Sequence, residues 1–379
     1  MSSTAAVAGK AERLKAGGVE IVDFGAGQPD FSTPENVKRA AVEALEQDYT
    51  KYTDTGGTPE LKEAVIERHA ADFGSNYTAA ECIVTVGGKH AVFEAVAATV
   101  SPGDDVILPV PYWASFPEII RYAGGRPVLL RTSEDDNFAL RAEAVEKSLT
   151  PATRMLIVNS PCNPSGAVVP SSEMEKILHL AARRGILVVS DETYSHFTYG
   201  VQGPYSLGTT RNRENLVVIG SLSKTYAMTD WRIGYALGSA PLIANMLTLQ
   251  SHSTSNPTSF AQKGAVEALR GPQDAVRRMR AEYQRRRDRI VAGLRAIPGI
   301  SCTNPEGAFY VYPNLGKFLD RDGMADTTAL AAKLLDQARV AVVPGPGFGT
   351  AQHVRISYAT SMQQIDEGLR RMQDFFAHY

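Results

Sequence analysis

The sequence predicts an α/β fold: a large domain on a mostly parallel central sheet covered by helices, plus a smaller α+β domain formed by the N-terminal segment and the C-terminal third. Three observations lead there. Between residues 82 and 237, short apolar runs alternate with helix-like segments. Runs such as Ile186-Leu-Val-Val-Ser190 are apolar on both faces, as strands covered on both sides must be. Lys89, Trp113, Asn163, Asp191 and Lys224 each follow the carboxyl end of such a run, where open α/β sheets hold their ligands. The expected division is residues 1–33 as an N-terminal arm and part of the small domain, 34–285 as the large domain, and 286–379 as the rest of the small domain.

In chain order, a helix-like stretch with Ala5, Ala8, Ala11 and Leu14 ends at Gly17-Gly18, before an expected strand from Val19 to Phe24. The loop Gly25-Ala-Gly27-Gln-Pro-Asp30 opens like a dinucleotide fingerprint. Asp30 replaces its glycine, however, and Pro29 blocks the strand-to-helix turn, which sets a nicotinamide cofactor aside. Pro34 starts a helix with Val37, Ala41, Ala44 and Leu45 on one face. A polar loop carrying Tyr52 leads into a second helix that ends near Phe73. From Cys82 to Leu237 follow the alternating strands of the large domain. After Pro241 three helices are expected, the last from Asp274 to Ala296, where Pro298-Gly299 stops it. Strands around Phe309–Tyr312, Val340–Val343 and Val354–Tyr358, with two more helices, complete the small domain.

Composition narrows the function. A chain of 379 residues with 44% hydrophobic and 21% charged residues can enclose a pocket, and its net charge of -2 gives no support for binding nucleic acid or an acidic membrane. The arginine-rich run Arg277 to Arg289 alternates with Met279, Tyr283 and Ile290 at helical spacing, so a solvated helix face is expected. Cys82, Cys162 and Cys302 lie far apart, with neither metal-ligand spacing nor a disulfide framework. No metal is expected. Without a signal-like start or an apolar run of about 18 residues, the chain is expected to be cytoplasmic.

One stretch carries most of the chemistry: Ser221-Leu-Ser-Lys224-Thr-Tyr-Ala-Met-Thr-Asp-Trp-Arg232-Ile-Gly234, delivered by the apolar run Leu216 to Ile219. A buried lysine tends to lose its proton, and its amine then attacks carbonyls. Hydroxyls at Ser221 and Ser223, with the forked guanidinium of Arg232, suit a phosphate group nearby. By itself the stretch also fits a surface lysine after a core strand. The partners settle more. Asp191-Glu-Thr-Tyr194 and Asn163-Pro-Ser-Gly166 end two neighbouring strands, and Asn163–Pro164 is a candidate cis bond. Gly88 and Lys89 open a helix whose free N–H groups suit a dianion. Arg355, inside an apolar strand, has the fork for a carboxylate.

Together these motifs resemble the fold type I pyridoxal-phosphate enzymes, and within them the class I aminotransferases, over nearly the whole chain. The resemblance implies that pyridoxal 5'-phosphate binds covalently at Lys224, which also moves the substrate α-proton. It implies that Asp191 pairs with the ring nitrogen and that Asn163 and Tyr194 bond the ring oxygen. Trp113 would stack on the ring. Gly88, Lys89, Ser221, Ser223 and Arg232 would hold the phosphate, together with Tyr52 of a neighbouring subunit, hence a homodimer with shared sites. Arg355, Gly27, Asn163 and Trp113 would receive the substrate. Gly87-Gly-Lys89 is similar to the bacterial aspartate branch, in which Lys89 would recognise a second carboxylate and Ser3 and Thr4 would help close the site. Small amino acids and 2-oxo acids are the expected partners: aspartate donating to 2-oxoglutarate by a ping-pong route, with prephenate or aromatic acids as the alternative. A β-lyase or a non-catalytic regulator on the same fold stands further off, since Lys224, Asp191 and Arg355 are all kept. Two positions depart from the family pattern. Gln28 replaces a common Glu, and Asp230 replaces a glycine, a position that Asp tolerates if φ is positive.

Overall fold

The computed structural model describes residues 9–11, 13–14, 16–200, 205–210, 213–319 and 324–379. Ser3 and Thr4 lie outside them. β1 (Val22–Asp23) is shorter than the expected strand. Next come β2 (Cys82–Thr85), β3 (Asp105–Val110), β4 (Arg126–Arg131), β5 (Thr153–Asn159), β6 (Leu187–Asp191), β7 (Leu216–Ser221) and β8 (Gly234–Gly238). These seven form one sheet in the order β2-β8-β7-β6-β5-β3-β4. It is parallel except for β8, which runs antiparallel to both neighbours.

Alternation along these strands supplies two cores. Val84, Ile107, Leu156, Val188 and Val218 face one layer of helices; Ile83, Val106, Ile157, Val189 and Val217 face the other. Each such side chain contributes about 1.5–3 kcal/mol by leaving water, so a register slip of one residue would exchange the two faces wholesale. The parallel register also aligns the strand ends. Asn159 pairs with Asp191, and Asp191 with Ile219. Asn159, Asp191 and the loop after Ser221 therefore share one edge of the sheet.

Gly234 matters at that edge. It pairs with Ser221 on one side and Thr85 on the other, and a Cβ there would lie 2.3 Å from the Gly88 nitrogen. Only glycine lets the turn after β2 come so close.

In the small domain β9 (Tyr310–Val311), β10 (Val340–Ala341), β11 (Val343–Pro344) and β12 (Val354–Ser357) follow. The expected strand Val340–Val343 is in fact split. Its first half pairs with β1, and its second with β12 in the sheet β11-β12-β9, because the chain changes ladders at Val342. The helix Asp274–Arg295 belongs to both domains: Val276 packs in a large-domain core, while Tyr283, Ile290 and Leu294 pack in the small-domain core.

Two surface expectations need correction. Leu45 is 43% exposed rather than packed with Val37, Ala41 and Ala44. The arginine run is only partly solvated. Arg286 is buried, bonding Asp30 at 2.8 Å and Glu282 at 3.0 Å. Arg287, also buried, bonds Asp288 and the Pro305 carbonyl. This helix crosses the domain seam, so two of its cations meet carboxylates and carbonyls instead of water. Asp30 is thereby explained as an ion-pair partner.

Candidate active site

A cavity of about 430 Å³ opens at the shared edge of the large sheet. Four cationic side chains (Lys89, Lys224, Arg232 and Arg355) line it against one carboxylate, Asp191. A site so unbalanced calls for anionic ligands.

β7 ends at Ser221, whose hydroxyl accepts from the Ser223 N–H at 3.2 Å and turns the chain into one helical turn, Leu222–Thr225. That turn aims Lys224 into the cavity, where Nζ donates to the Gly27 carbonyl at 2.6 Å. Its pKa is lowered from 10.5 to about 8, first by burial and then by Arg355, Arg232 and Lys89. The amine is thus half neutral near pH 8, as a carbonyl nucleophile requires. The sign follows. The folded chain releases this proton earlier than the unfolded chain, so the apoprotein gains stability as pH rises from about 8 to 10.5.

At the end of β6, Asp191 is buried, and burial raises its pKa against the opposing bonds from Thr193. Oδ1 accepts from the Thr193 hydroxyl at 2.7 Å and its N–H at 3.2 Å, which fixes the carboxyl group. Asn159, ending β5, donates to the Asp191 carbonyl at 3.1 Å and accepts from the Asn163 N–H at 2.8 Å. The Asn163–Pro164 bond is cis, as expected. Asn163 Oδ1 in turn accepts from Arg355 Nη1 at 3.1 Å. Arg355 is buried on β12, and its Nη2 donates to the Gly25 carbonyl at 2.9 Å.

Gly87, with φ of 84°, lets the chain enter the helix Gly88–Ala97, and a Cβ there would come within 2.4 Å of Arg232 Nη2. No side chain caps this helix; the His90 and Ala91 N–H groups turn back to the Gly87 carbonyl, which leaves those of Gly88 and Lys89 as the orphan donors of the first turn. Ser221, Ser223 and Arg232 line the same wall. Free N–H groups, two hydroxyls and a guanidinium fit a phosphate dianion. The lysine, the buried carboxyl and this cradle fit pyridoxal phosphate as a whole.

Arg232 itself adopts φ of 57°, while Nη1 donates to the Thr229 carbonyl at 2.8 Å and Nη2 to Val86 at 3.3 Å. This corrects the expectation for Asp230. The left-handed residues in this segment are Ala227 and Arg232, and Asp230 is exposed in the turn between them. Its difference from glycine carries no backbone strain. Gln28 accepts a bond from Thr229 at 3.4 Å, which ties the two departing positions to one surface loop.

Of the residues singled out in the sequence, the cavity wall gathers Gly27, Gly88, Lys89, Trp113, Asn163, Asp191, Tyr194, Ser221, Ser223, Lys224, Arg232 and Arg355. Lys89 Nζ lies 4.9 Å from the Trp113 ring centroid, and burial followed by Arg232 lowers its pKa. Tyr52 is not on the wall. It is 90% exposed in this chain. Sequence reasoning missed Thr193, Asn159 and Tyr310. Thr193 lies within the quoted Asp191–Tyr194 motif and Asn159 four residues before Asn163, but Tyr310 read simply as a strand residue. Cys162 is held inert: burial raises its thiol pKa, and Sγ faces the Pro111 carbonyl at 3.6 Å. Among the described residues no cluster of metal-ligating side chains occurs, and no helix is long and apolar enough to cross a membrane.

A mostly parallel sheet with a buried lysine of lowered pKa after one strand, a buried aspartate ending its neighbour and an anion cradle beside them fits a pyridoxal-phosphate enzyme. The model of the family "aminotransferase class I and II" matches residues 19–372. The chain belongs to that family, and it is a transaminase with pyridoxal phosphate as its cofactor. An aspartate aminotransferase of Bacillus sp. (strain YM-2) is 42% identical, covering 99% of this chain and 96% of its own. An aspartate/prephenate aminotransferase of Cereibacter sphaeroides is 41% identical with the same coverage. The solved structure of aspartate aminotransferase from Thermus thermophilus with maleate superposes with a TM-score of 0.94 at 42% identity, covering 99% of this chain and 96% of that one.

Proposed function

We propose that the chain transfers the amino group of aspartate to 2-oxoglutarate in two half-reactions. One observation carries the proposal: Lys224, with its amine lowered to about 8, shares a cavity with Arg355, Arg232 and Lys89. These supply a nucleophile, a carboxylate fork, a phosphate fork and one further cation. Bound there, pyridoxal phosphate supplies the carbonyl that takes up the amino group and the electron sink for the α-carbanion. The residues do the rest. Lys224 would hold the cofactor through its neutral amine, and its Nζ would carry the α-proton. Asp191, ionised on meeting a cationic ring nitrogen, holds that charge in place. Asn163 and Tyr194 donate to the ring oxygen, while Trp113 covers one ring face. The Gly88 and Lys89 N–H groups, Ser221, Ser223 and Arg232 hold the phosphate. Arg355, with Asn163 and the Gly27 backbone, receives the α-carboxylate.

Lys89 is assigned the second carboxylate. Among the described residues its ammonium has no carboxylate partner, and it lies against Trp113 on the cavity wall. Lys89→Ala is expected to lower kcat/KM for aspartate and glutamate by about tenfold, the worth of one charge-assisted contact, and to spare phenylalanine. Equal losses on all three would remove this role. Relatives named aspartate/prephenate aminotransferase make prephenate the second substrate to measure in the same panel.

The lowered lysine gives a pH test. Apoprotein mixed with pyridoxal phosphate should gain its visible band faster as pH rises, with a midpoint near 8. A midpoint at the ordinary lysine value of 10.5 would contradict the activated amine. The protein is further proposed to act in the cytoplasm as a homodimer in which Tyr52 of each protomer reaches the other's phosphate. Tyr52 is 90% exposed in the single chain, as a residue reaching a partner would be. A monomeric mass in solution would rule it out. We propose domain limits near 33/34 and 285/286, the second falling within the helix that both cores share.

A further inference from the structure

Tyr310 belongs to none of the motifs, yet it touches both halves of the site. It lies on β9 opposite Ser357 of β12. Side chains alternate along a strand, so Ser357 and Arg355 share one face of the small sheet, and Tyr310 joins them there. Its ring centroid is 4.6 Å from the Arg355 guanidinium carbon, and the Phe348 ring lies 5.2 Å from that carbon. Its hydroxyl is 3.0 Å from the hydroxyl of Tyr194, which comes from the large domain after β6. Both rings are buried, and both border the cavity.

Two neutral phenols share one hydrogen bond, so one donates and the other keeps its proton for elsewhere. Burial raises both pKa values, which keeps both groups neutral. If Tyr310 donates, the Tyr194 proton is free to point into the cavity. If Tyr194 donates, it is spent on Tyr310. Only the first arrangement lets Tyr194 serve a ring oxygen, the role proposed above.

We propose that Tyr310 is a positioning residue: its hydroxyl donates to Tyr194 and so directs the Tyr194 proton into the cavity, while its ring holds the Arg355 fork in place for the substrate carboxylate. The proposal rests on the aminotransferase reading and assigns this chain's small domain a part in tuning the cofactor. A core aromatic with no such role would tolerate loss of its hydroxyl.

The test uses the purified holoenzyme and reads the pH titration of the cofactor's visible band in the parent, Tyr310→Phe, Tyr194→Phe and the double variant. A bond donated to the ring oxygen favours its anionic form and holds the midpoint down. Tyr310→Phe should therefore raise the midpoint by about half a unit, less than Tyr194→Phe, and add nothing when Tyr194 is already Phe. Because it keeps the ring, Tyr310→Phe should leave KM for aspartate within about twofold, whereas Tyr310→Leu should raise it by about fivefold or more through the loss of the cation–π contact. A midpoint unchanged in Tyr310→Phe, or shifted equally with and without the Tyr194 hydroxyl, overturns the proton-directing role. An unchanged KM in Tyr310→Leu overturns the Arg355 role. A parent protein with no visible band would instead defeat the aminotransferase reading itself.

Discussion

Lys224→Ala is expected to lower turnover by at least about 10⁴-fold, the upper range for one acid–base group, with loss of the covalent step added. Two jobs meet on one nitrogen. In the roles proposed for it, the amine lowered to about 8 is both the nucleophile and the carrier of the α-proton. Neighbours cannot substitute: Arg232 and Arg355 present guanidinium forks rather than amines, and Lys89 lies against Trp113 on the cavity wall. The variant should also lose the visible band of the bound cofactor while retaining its fold. Removing a half-charged ammonium from among Arg355, Arg232 and Lys89 relieves like-charge repulsion, so the melting temperature should hold or rise. A rise would show that the cation cluster is strained in the apoprotein for the sake of its ligands. Turnover equal to that of the parent would mean that another group carries the chemistry.

Much of this was legible in the sequence because the chemistry sits on strand ends. Apolar runs fixed where β5, β6 and β7 lie, and residues just beyond such runs must share one edge when the strands are parallel. Asn163, Asp191 and Lys224 needed no further information to converge. Arg355 was legible for another reason, since a charge inside an apolar strand must have a purpose. What stayed hidden was anything set by tertiary packing. The ion pair between buried Arg286 and Asp30 joins residues more than two hundred positions apart, and no periodicity encodes it. The split of Val340–Val343 between two ladders is likewise a tertiary choice. Tyr310 was missed because a tyrosine in an aromatic strand reads as packing, and only its distance to Tyr194 says otherwise. Tyr52 remains outside the cavity in one chain for a related reason: the contact proposed for it needs a second copy.

Arg355 offers the second large effect, and it separates charge from geometry. Its guanidinium is buried beside the Tyr310 and Phe348 rings, with Asn163 Oδ1 and the Gly25 carbonyl as acceptors, while Nε has no partner among the described residues. Arg355→Ala removes the fork and leaves both acceptors unpaired, at about 1–3 kcal/mol each unless water enters. Losing a buried charged partner costs binding about 2–5 kcal/mol, so kcat/KM for aspartate should fall by about 10²–10³-fold. Arg355→Lys keeps the charge but can satisfy only part of this arrangement, because one ammonium cannot span Asn163, Gly25 and a carboxylate in a plane. If charge alone mattered, the lysine variant would keep nearly all activity. If the fork matters, it should recover stability over alanine yet remain at least about tenfold below the parent, with the loss mainly in KM. The same measurement with a substrate lacking the α-carboxylate is the control. An amine that reacts equally poorly with parent and Arg355→Ala places the whole effect on that carboxylate. A large effect on such an amine would instead show that Arg355 acts by holding Asn163, its partner across the domain seam.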